Sequence, residues 1–234
     1  MSIWTRIVEA LAALRSRGEA LSAMLARWRD PDRSVAFTIA VISLGAKMAK
    51  ADGQVRAEEV RVFREIFRLT PRDEAAAARV FNLARQDVAG FDTYARRIAR
   101  IFETDPILLE DVLDGLFEIA LADGIYTPEE EGFLAAVAAI FGIPPGVFAC
   151  IEARHLTGSR RDPWQVLGVP RGADIATVRS RWRHLVRQHH PDLVLARGLP
   201  PESIALANSR IAAINAAWEE ISARPRAFGE LPAS

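Results

Sequence analysis

Cysteine is almost missing from this chain. Cys150 is the only one in 234 residues, so neither an intrachain disulfide nor a multi-cysteine zinc site can form, and a reducing cytoplasm is the natural compartment. Net charge is missing too: 30 Lys and Arg balance 30 Asp and Glu. A polyanion binder that works by neutralising many phosphates is therefore not expected, and no nucleic-acid partner is predicted. Long apolar runs are also lacking. The stretch from Val35 to Ala46 ends at Lys47, short of the roughly 20 residues that a membrane span needs. Residues 1–28 intersperse Arg6, Glu9, Arg15, Arg17, Glu19 and Arg27 among apolar residues, which is not the uninterrupted core of a signal peptide. The reading is a soluble, cytoplasmic protein. Neither a glycine-rich phosphate loop nor a nucleophile elbow occurs, so no enzyme and no cofactor is predicted.

Sustained alternation of apolar and polar residues is the last absence, and it excludes an extensive sheet. What is present is helical periodicity nearly throughout, in a chain that is half apolar. The fold class read from it is all-α. Ile3, Ile7, Leu11 and Leu14 stripe a first amphipathic helix, which leaves contact with a membrane surface and homodimerisation open. Asp30-Pro31 closes that segment. A buried helix follows over Val35 to Lys50 and stops at Asp52-Gly53, where glycine tolerates a left-handed helix end. Further helices are expected near 57–69, 72–89, 92–103, 106–122 and 128–141, with Pro71, Pro106, Pro128 and Pro144 near helix starts.

Two segments echo each other. Ala51-Asp52-Gly53-Gln54-Val55-Arg56-Ala57-Glu58-Glu59 aligns with Ala122-Asp123-Gly124-Ile125-Tyr126-Thr127-Pro128-Glu129-Glu130, each lying between apolar helices. This internal helix-turn-helix repeat resembles the TerB family of tellurite-resistance proteins. Carboxylates from the two turns, Asp52, Glu58 and Glu59 with Asp123, Glu129 and Glu130, are weak candidates for a cation site. The stronger reading is helix capping, with Thr127 and Glu130 forming a capping box.

The C-terminal quarter carries the chemistry. Asp162-Pro163 caps a short helix that Gly168 ends. Asp174 caps the next, where Val178, Trp182, Leu185 and His189 share one face and Arg179, Arg183 and Arg187 another. His190-Pro191-Asp192 follows. Ile204, Ala207, Ile211, Ile214, Trp218 and Ile221 stripe a last helix, so the two long helices can pair as an antiparallel hairpin with the tripeptide at its tip. Pro191 disfavours helix at His190, a ring hydrogen bond from His190 would orient the turn, and Asp192 offers a carboxylate to a partner's arginine.

These ordered features, Trp164-Gln165-Val166-Leu167-Gly168-Val169, Trp182-Arg183-His184-Leu185, His190-Pro191-Asp192 and Ile214-Asn215-Ala216-Ala217-Trp218, resemble the J domain of DnaJ (Hsp40) co-chaperones. With the TerB-like half, they look like the bacterial DjlA group. The resemblance implies that His190, Pro191 and Asp192, with Arg179, Arg183 and Arg187, bind a DnaK-type Hsp70 and stimulate its ATPase, and that the TerB-like half directs client or partner choice. Trp164, Trp182 and Trp218 stand where tyrosines are more usual.

The organisation read from this is an amphipathic segment at 1–30, a TerB-like domain at 31–155, a linker at 156–161 that includes little apolar content, a J domain at 162–224 and a tail at 225–234. His155 reads as a linker residue. A competing function is a TerB-type stress-response adaptor, for tellurite or metal, with a degenerate J domain. Charge is also segregated: residues 103–131 hold ten acidic side chains and no Lys or Arg, whereas residues 160–192 hold seven arginines and three aspartates. This asymmetry predicts that the acidic segment docks on the basic helix and masks it.

Overall fold

A computed structural model of the chain describes residues 3–17, 19–27, 32–51, 64, 73–87, 89–158, 161–199 and 203–223. Twelve helices are assigned among them: α1 (Ile3–Arg17), α2 (Leu21–Arg27), α3 (Arg33–Ala51), α4 (Glu74–Gln86), α5 (Phe91–Ile101), α6 (Pro106–Ala120), α7 (Pro128–Ile140), α8 (Pro145–His155), α9 (Pro163–Leu167), α10 (Ile175–Gln188), α11 (Pro191–Ala196) and α12 (Ile204–Ala223). The all-α reading is borne out, and no strand occurs among the described residues. Apart from Arg64, which is helical, the predicted helix near 57–69 lies outside the described residues, as do the Asp52-Gly53 turn and the tail 225–234. None of the described helices is long and apolar enough to cross a membrane.

The centre of the N-terminal bundle is α3, which packs against α1, α4, α5, α6 and α7. Its buried run extends from Ser34 to Ala49, as expected of a helix that is apolar on nearly every side. Its polar groups are satisfied locally: Thr38 Oγ1 donates to the Ser34 carbonyl at 3.0 Å and Ser43 Oγ to the Ile39 carbonyl at 2.6 Å. Lys47 Nζ donates to the carbonyl of Asp87 at 2.8 Å and lies 5.0 Å from the Tyr94 ring centroid. Asp87 is a hub between helices, because its carboxylate accepts from Ser22 N at 3.1 Å and from the Tyr94 hydroxyl at 2.9 Å.

Helix α6 is buried on several sides. Leu108, Val112, Leu113, Leu116 and Phe117 are fully enclosed, and each such side chain contributes roughly 1.5–3 kcal/mol by leaving water. On the same helix Asp111 and Asp114 are also buried. Pro106 occupies its first turn and Thr127 caps α7 with a complete capping box, as the sequence predicts.

The C-terminal helices form a second core. Val166, Leu167, Val178, Leu185, Ile214, Ala217 and Ile221 cluster together, and Ala153 of α8 joins them. Conversely Leu199, Leu206 and Ala207 join the N-terminal core. The two halves are thus interlocked at α8 and at the start of α12. His155, read from the sequence as a linker residue, instead lies with Arg154 in the last turn of α8. Arg154 is buried there.

Candidate functional site

Helices α10 and α12 pair as the antiparallel hairpin that the two apolar stripes predict. Asp162 Oδ1 accepts from Trp164 N at 3.1 Å, which starts α9, and Gly168 ends it at φ 65°. Asp174 Oδ1 accepts from Thr177 N at 2.9 Å and starts α10. Arg181 Nε donates to the Leu167 carbonyl at 3.1 Å, fastening α10 to the end of α9.

The packing face and the charged face of α10 separate as expected. Val178, Leu185 and His189 are buried, Trp182 is half-buried, and Arg179, Arg183 and Arg187 are exposed. Arg179 lies 5.6 Å over the Trp218 ring, a cation–π contact across the hairpin.

The tripeptide closes α10. His189 is its C-cap residue, His190 is non-helical, and Pro191 opens α11. The loop expected around Asp192 is therefore a short helix, because Pro191 is pre-set for a first helical turn. His190 does orient the turn, since its Nδ1 accepts from Asp192 N at 3.3 Å. The side chain of Asp192 is 90 % exposed and that of His190 51 %. Arg197, beyond α11, donates to the Gln188 carbonyl at 3.0 Å and closes the bend. The arrangement presents one carboxylate to solvent beside a row of guanidinium groups. It can accept a bidentate hydrogen bond from a cationic partner.

Behind the exposed site lies a buried charge cluster that sequence reasoning missed. Arg210 Nη2 of α12 sits 2.6 Å from Asp111 Oδ1 and also pairs with Asp114 Oδ2. Arg210 Nη1 donates to His189 Nδ1 at 2.8 Å. His155 Nε2 lies 2.8 Å from Asp114 Oδ1, and its ring stacks on Phe117 at 5.1 Å and 7°. His155 is thus a packed residue of the bundle.

The electrostatics follow from burial. Burial pushes Asp111 up, against the pull of Arg210. Asp114 is equally buried, yet Arg210 and His155 outweigh that and hold it below the usual carboxylate range. Burial first, and Arg210 second, lower His189 to about 2. A neutral ring is what Arg210 requires, because an acceptor nitrogen cannot carry a proton. One signal was available in the sequence: Arg210 interrupts the buried face of α12, three residues after Ala207 and four before Ile214.

The acidic segment does not cover the basic face of α10. Two of its buried members, Asp111 and Asp114, pair instead with Arg210 and His155, so the predicted masking is corrected. Nor do the carboxylates of the second turn gather. Asp123 Oδ1 accepts from Ile125 N at 2.8 Å, Glu130 Oε2 accepts from Thr127 N at 2.9 Å, and Glu129 is exposed. No group of three or more metal-ligating side chains occurs among the described residues; Asp52, Glu58 and Glu59 lie outside them.

Comparison with known proteins bears on both halves. Residues 38–153 match the family of tellurite resistance protein TerB. The chain is 27 % identical over 194 residues to the co-chaperone protein DjlA of Coxiella burnetii, a match that covers 74 % of this chain and 72 % of that protein. It is 27 % identical over 224 residues to DjlA of Photobacterium profundum, covering 83 % and 80 %, and 24 % identical over 216 residues to DjlA of Escherichia coli O157:H7, covering 81 % and 80 %. No solved structure matches the chain. The N-terminal bundle is therefore TerB-like, and the chain as a whole is similar to the DjlA co-chaperones.

Proposed function

We propose that this protein is a J-domain co-chaperone that binds a DnaK-type Hsp70 in the cytoplasm and stimulates its ATPase. The observation that carries the reading is the presentation of Asp192, 90 % exposed at its side chain, at the bend between α10 and α11 in a chain similar to proteins named co-chaperone. His190 and Pro191 shape the bend, Asp192 accepts hydrogen bonds from cationic groups of the Hsp70, and Arg179, Arg183 and Arg187 meet an acidic surface on it. On this reading the protein is not an enzyme, because the hydrolytic chemistry belongs to the Hsp70. The TerB-like bundle directs client or partner choice.

The test is single-turnover ATP hydrolysis by the Hsp70 of the same organism, with and without the full chain. Wild-type protein is expected to accelerate hydrolysis, and Asp192→Asn to abolish the acceleration without changing the circular dichroism spectrum. Equal acceleration by the two proteins removes the mechanism.

The TerB match over residues 38–153 favours a second reading, a TerB-type stress-response adaptor for tellurite or metal. Truncation is a poor way to separate the two, because Leu199, Leu206 and Ala207 belong to the N-terminal core. Asp192→Asn is better. Stress resistance that survives this substitution in cells assigns the activity to the bundle, and resistance lost with it assigns the activity to Hsp70 recruitment.

A further inference from the structure

We propose that Arg210 is a positioning residue that fastens the His190-Pro191-Asp192 bend to the TerB-like bundle, so that two carboxylates of α6 set where the bend is presented. The inference rests on the co-chaperone reading above and adds a role for the bundle in it. Its basis is a continuous chain of contacts. Asp111 and Asp114 of α6 hold Arg210 Nη2, and Arg210 Nη1 donates to His189, whose neighbour His190 accepts from Asp192 N. Arg197 adds a second tie, because its Nη2 donates to the Gln188 carbonyl while its Nη1 approaches Asp111 Oδ2 at 4.0 Å. The connection thus runs from the bundle to the bend through both ends of α11.

Simple packing does not require this arrangement. Arg210 occupies a position on the buried face of α12 that an apolar residue would fill, between Ala207, which joins the first core, and Ile214, which joins the second. A guanidinium is costly to bury unless every partner is held in place. Its planar fork also makes that geometry directional, since one guanidinium group addresses α6 and His189 at once. Apolar contacts at the same position would hold the halves together with less control of angle. Small rotations matter here: Asp192 lies at the end of a lever that starts at Arg210, and a partner reading one carboxylate discriminates its position within about an ångström.

The experiment uses the full chain with Arg210→Gln and Arg210→Lys, and two readouts. Amide hydrogen exchange is followed at residues 189–196 and, as internal control, in the second core at residues 178–185 and 214–221. Stimulation of Hsp70 ATP hydrolysis is titrated in parallel. Arg210→Gln is expected to speed exchange at 189–196 by about tenfold or more while the second core keeps its protection, and to raise the concentration for half-maximal stimulation by about tenfold. Arg210→Lys, which keeps the charge without the fork, falls between. Exchange at 189–196 that equals wild type overturns the proposal, and so does acceleration spread evenly over the second core, which is what a merely structural role produces. If Arg210→Gln does not fold, the same two outcomes in Arg210→Lys decide. Should wild-type protein fail to stimulate Hsp70, the co-chaperone reading falls, and the exchange pattern still decides whether Arg210 fixes the bend.

Discussion

Trp182 Nε1 donates to Asn215 Oδ1 at 2.9 Å, joining the two long helices of the hairpin by a side-chain hydrogen bond. Beside it the rings of Trp182 and Trp218 stack at 5.2 Å and 14°. An indole N–H that is half-buried needs an acceptor, and Asn215 is placed one helical turn from Trp218 to supply it. Asn215→Ala is expected to destabilise the protein by roughly 1–3 kcal/mol, the cost of leaving such a donor without a partner. Urea unfolding followed by tryptophan fluorescence measures this. An unchanged midpoint would show that the hydrogen bond contributes nothing.

Removing Asp114 acts on a different interaction. Its carboxylate is buried between Arg210 and His155, so Asp114→Ala removes one of the two carboxylates that neutralise a guanidinium stripped of water and leaves it Asp111 alone. A loss of roughly 3–5 kcal/mol is expected. Replacing the whole triad, as in Asp111→Leu and Asp114→Leu with Arg210→Met, should recover much of that loss, because no member of the triad is left buried without its partner. Denaturant titration of the single and triple variants separates the outcomes, and a triple variant weaker than the single one contradicts the argument.

Acid stability reads out His189. Folded, its ring stays neutral down to a pKa of about 2, whereas the ordinary value is 6.5. Below pH 6.5 the unfolded chain takes up a proton that the folded chain refuses. Stability is therefore complete above that pH and declines as pH falls, by up to about 1.4 kcal/mol per pH unit. Thermal melts between about pH 4.5 and 6.5, above the range where ordinary carboxylates titrate, should show the decline. His189→Gln keeps an acceptor for Arg210 and removes the titration, so it should flatten that limb. A slope unaltered in the variant would assign the acid sensitivity to another group.

Gly168 is constrained twice. Its φ of 65° lies in the left-handed region, and a Cβ there would stand 2.9 Å from Cys150 Sγ. Gly168→Ala is expected to cost about 2 kcal/mol or more, combining the left-handed penalty with overpacking against α8. Melting temperature checks it. The companion Gly142→Ala has a similar φ of 71° but no atom within 4 Å of the new Cβ, so it isolates the backbone contribution and should be milder.

On the proposed Hsp70-binding face, the exposed pair Arg183 and Arg187 makes a salt-dependent prediction. Arg183→Glu with Arg187→Glu should weaken half-maximal stimulation by about tenfold at low ionic strength and by less at physiological salt, where exposed charges are screened beyond about 8 Å. Titrations at two salt concentrations test it. A loss independent of salt would mean that the two arginines act by contact rather than by charge.

The helical class, the proline-led starts of α6, α7, α8 and α9, and the separation of faces on α10 were legible because each depends on neighbours within one or two turns. Thr127 with Glu130 and Asp162 with Trp164 are examples. Pro191 acts in two ways, only the first of which its position before a loop predicts: it disfavours helix at His190, and it opens α11. The buried cluster was not legible, since Asp111 and Arg210 are nearly a hundred positions apart in the chain, and an acidic run beside a basic one is compatible with several dockings. The regional charge pattern pointed to α10, whereas the contact is made by one arginine of α12.

By itself, then, the order of residues determined where helices begin and end, which faces are apolar, and that His190, Pro191 and Asp192 terminate a basic helix. Those outcomes follow from local sterics, capping and periodicity. Only the tertiary structure decided that His155 faces inward, that Arg210 joins α6 to the hairpin and reaches His189, and that α8 and α12 contribute side chains to both cores. Burial is the physical reason: the worth of a charge depends on which groups surround it once water is excluded, and that is settled by the packing of distant helices.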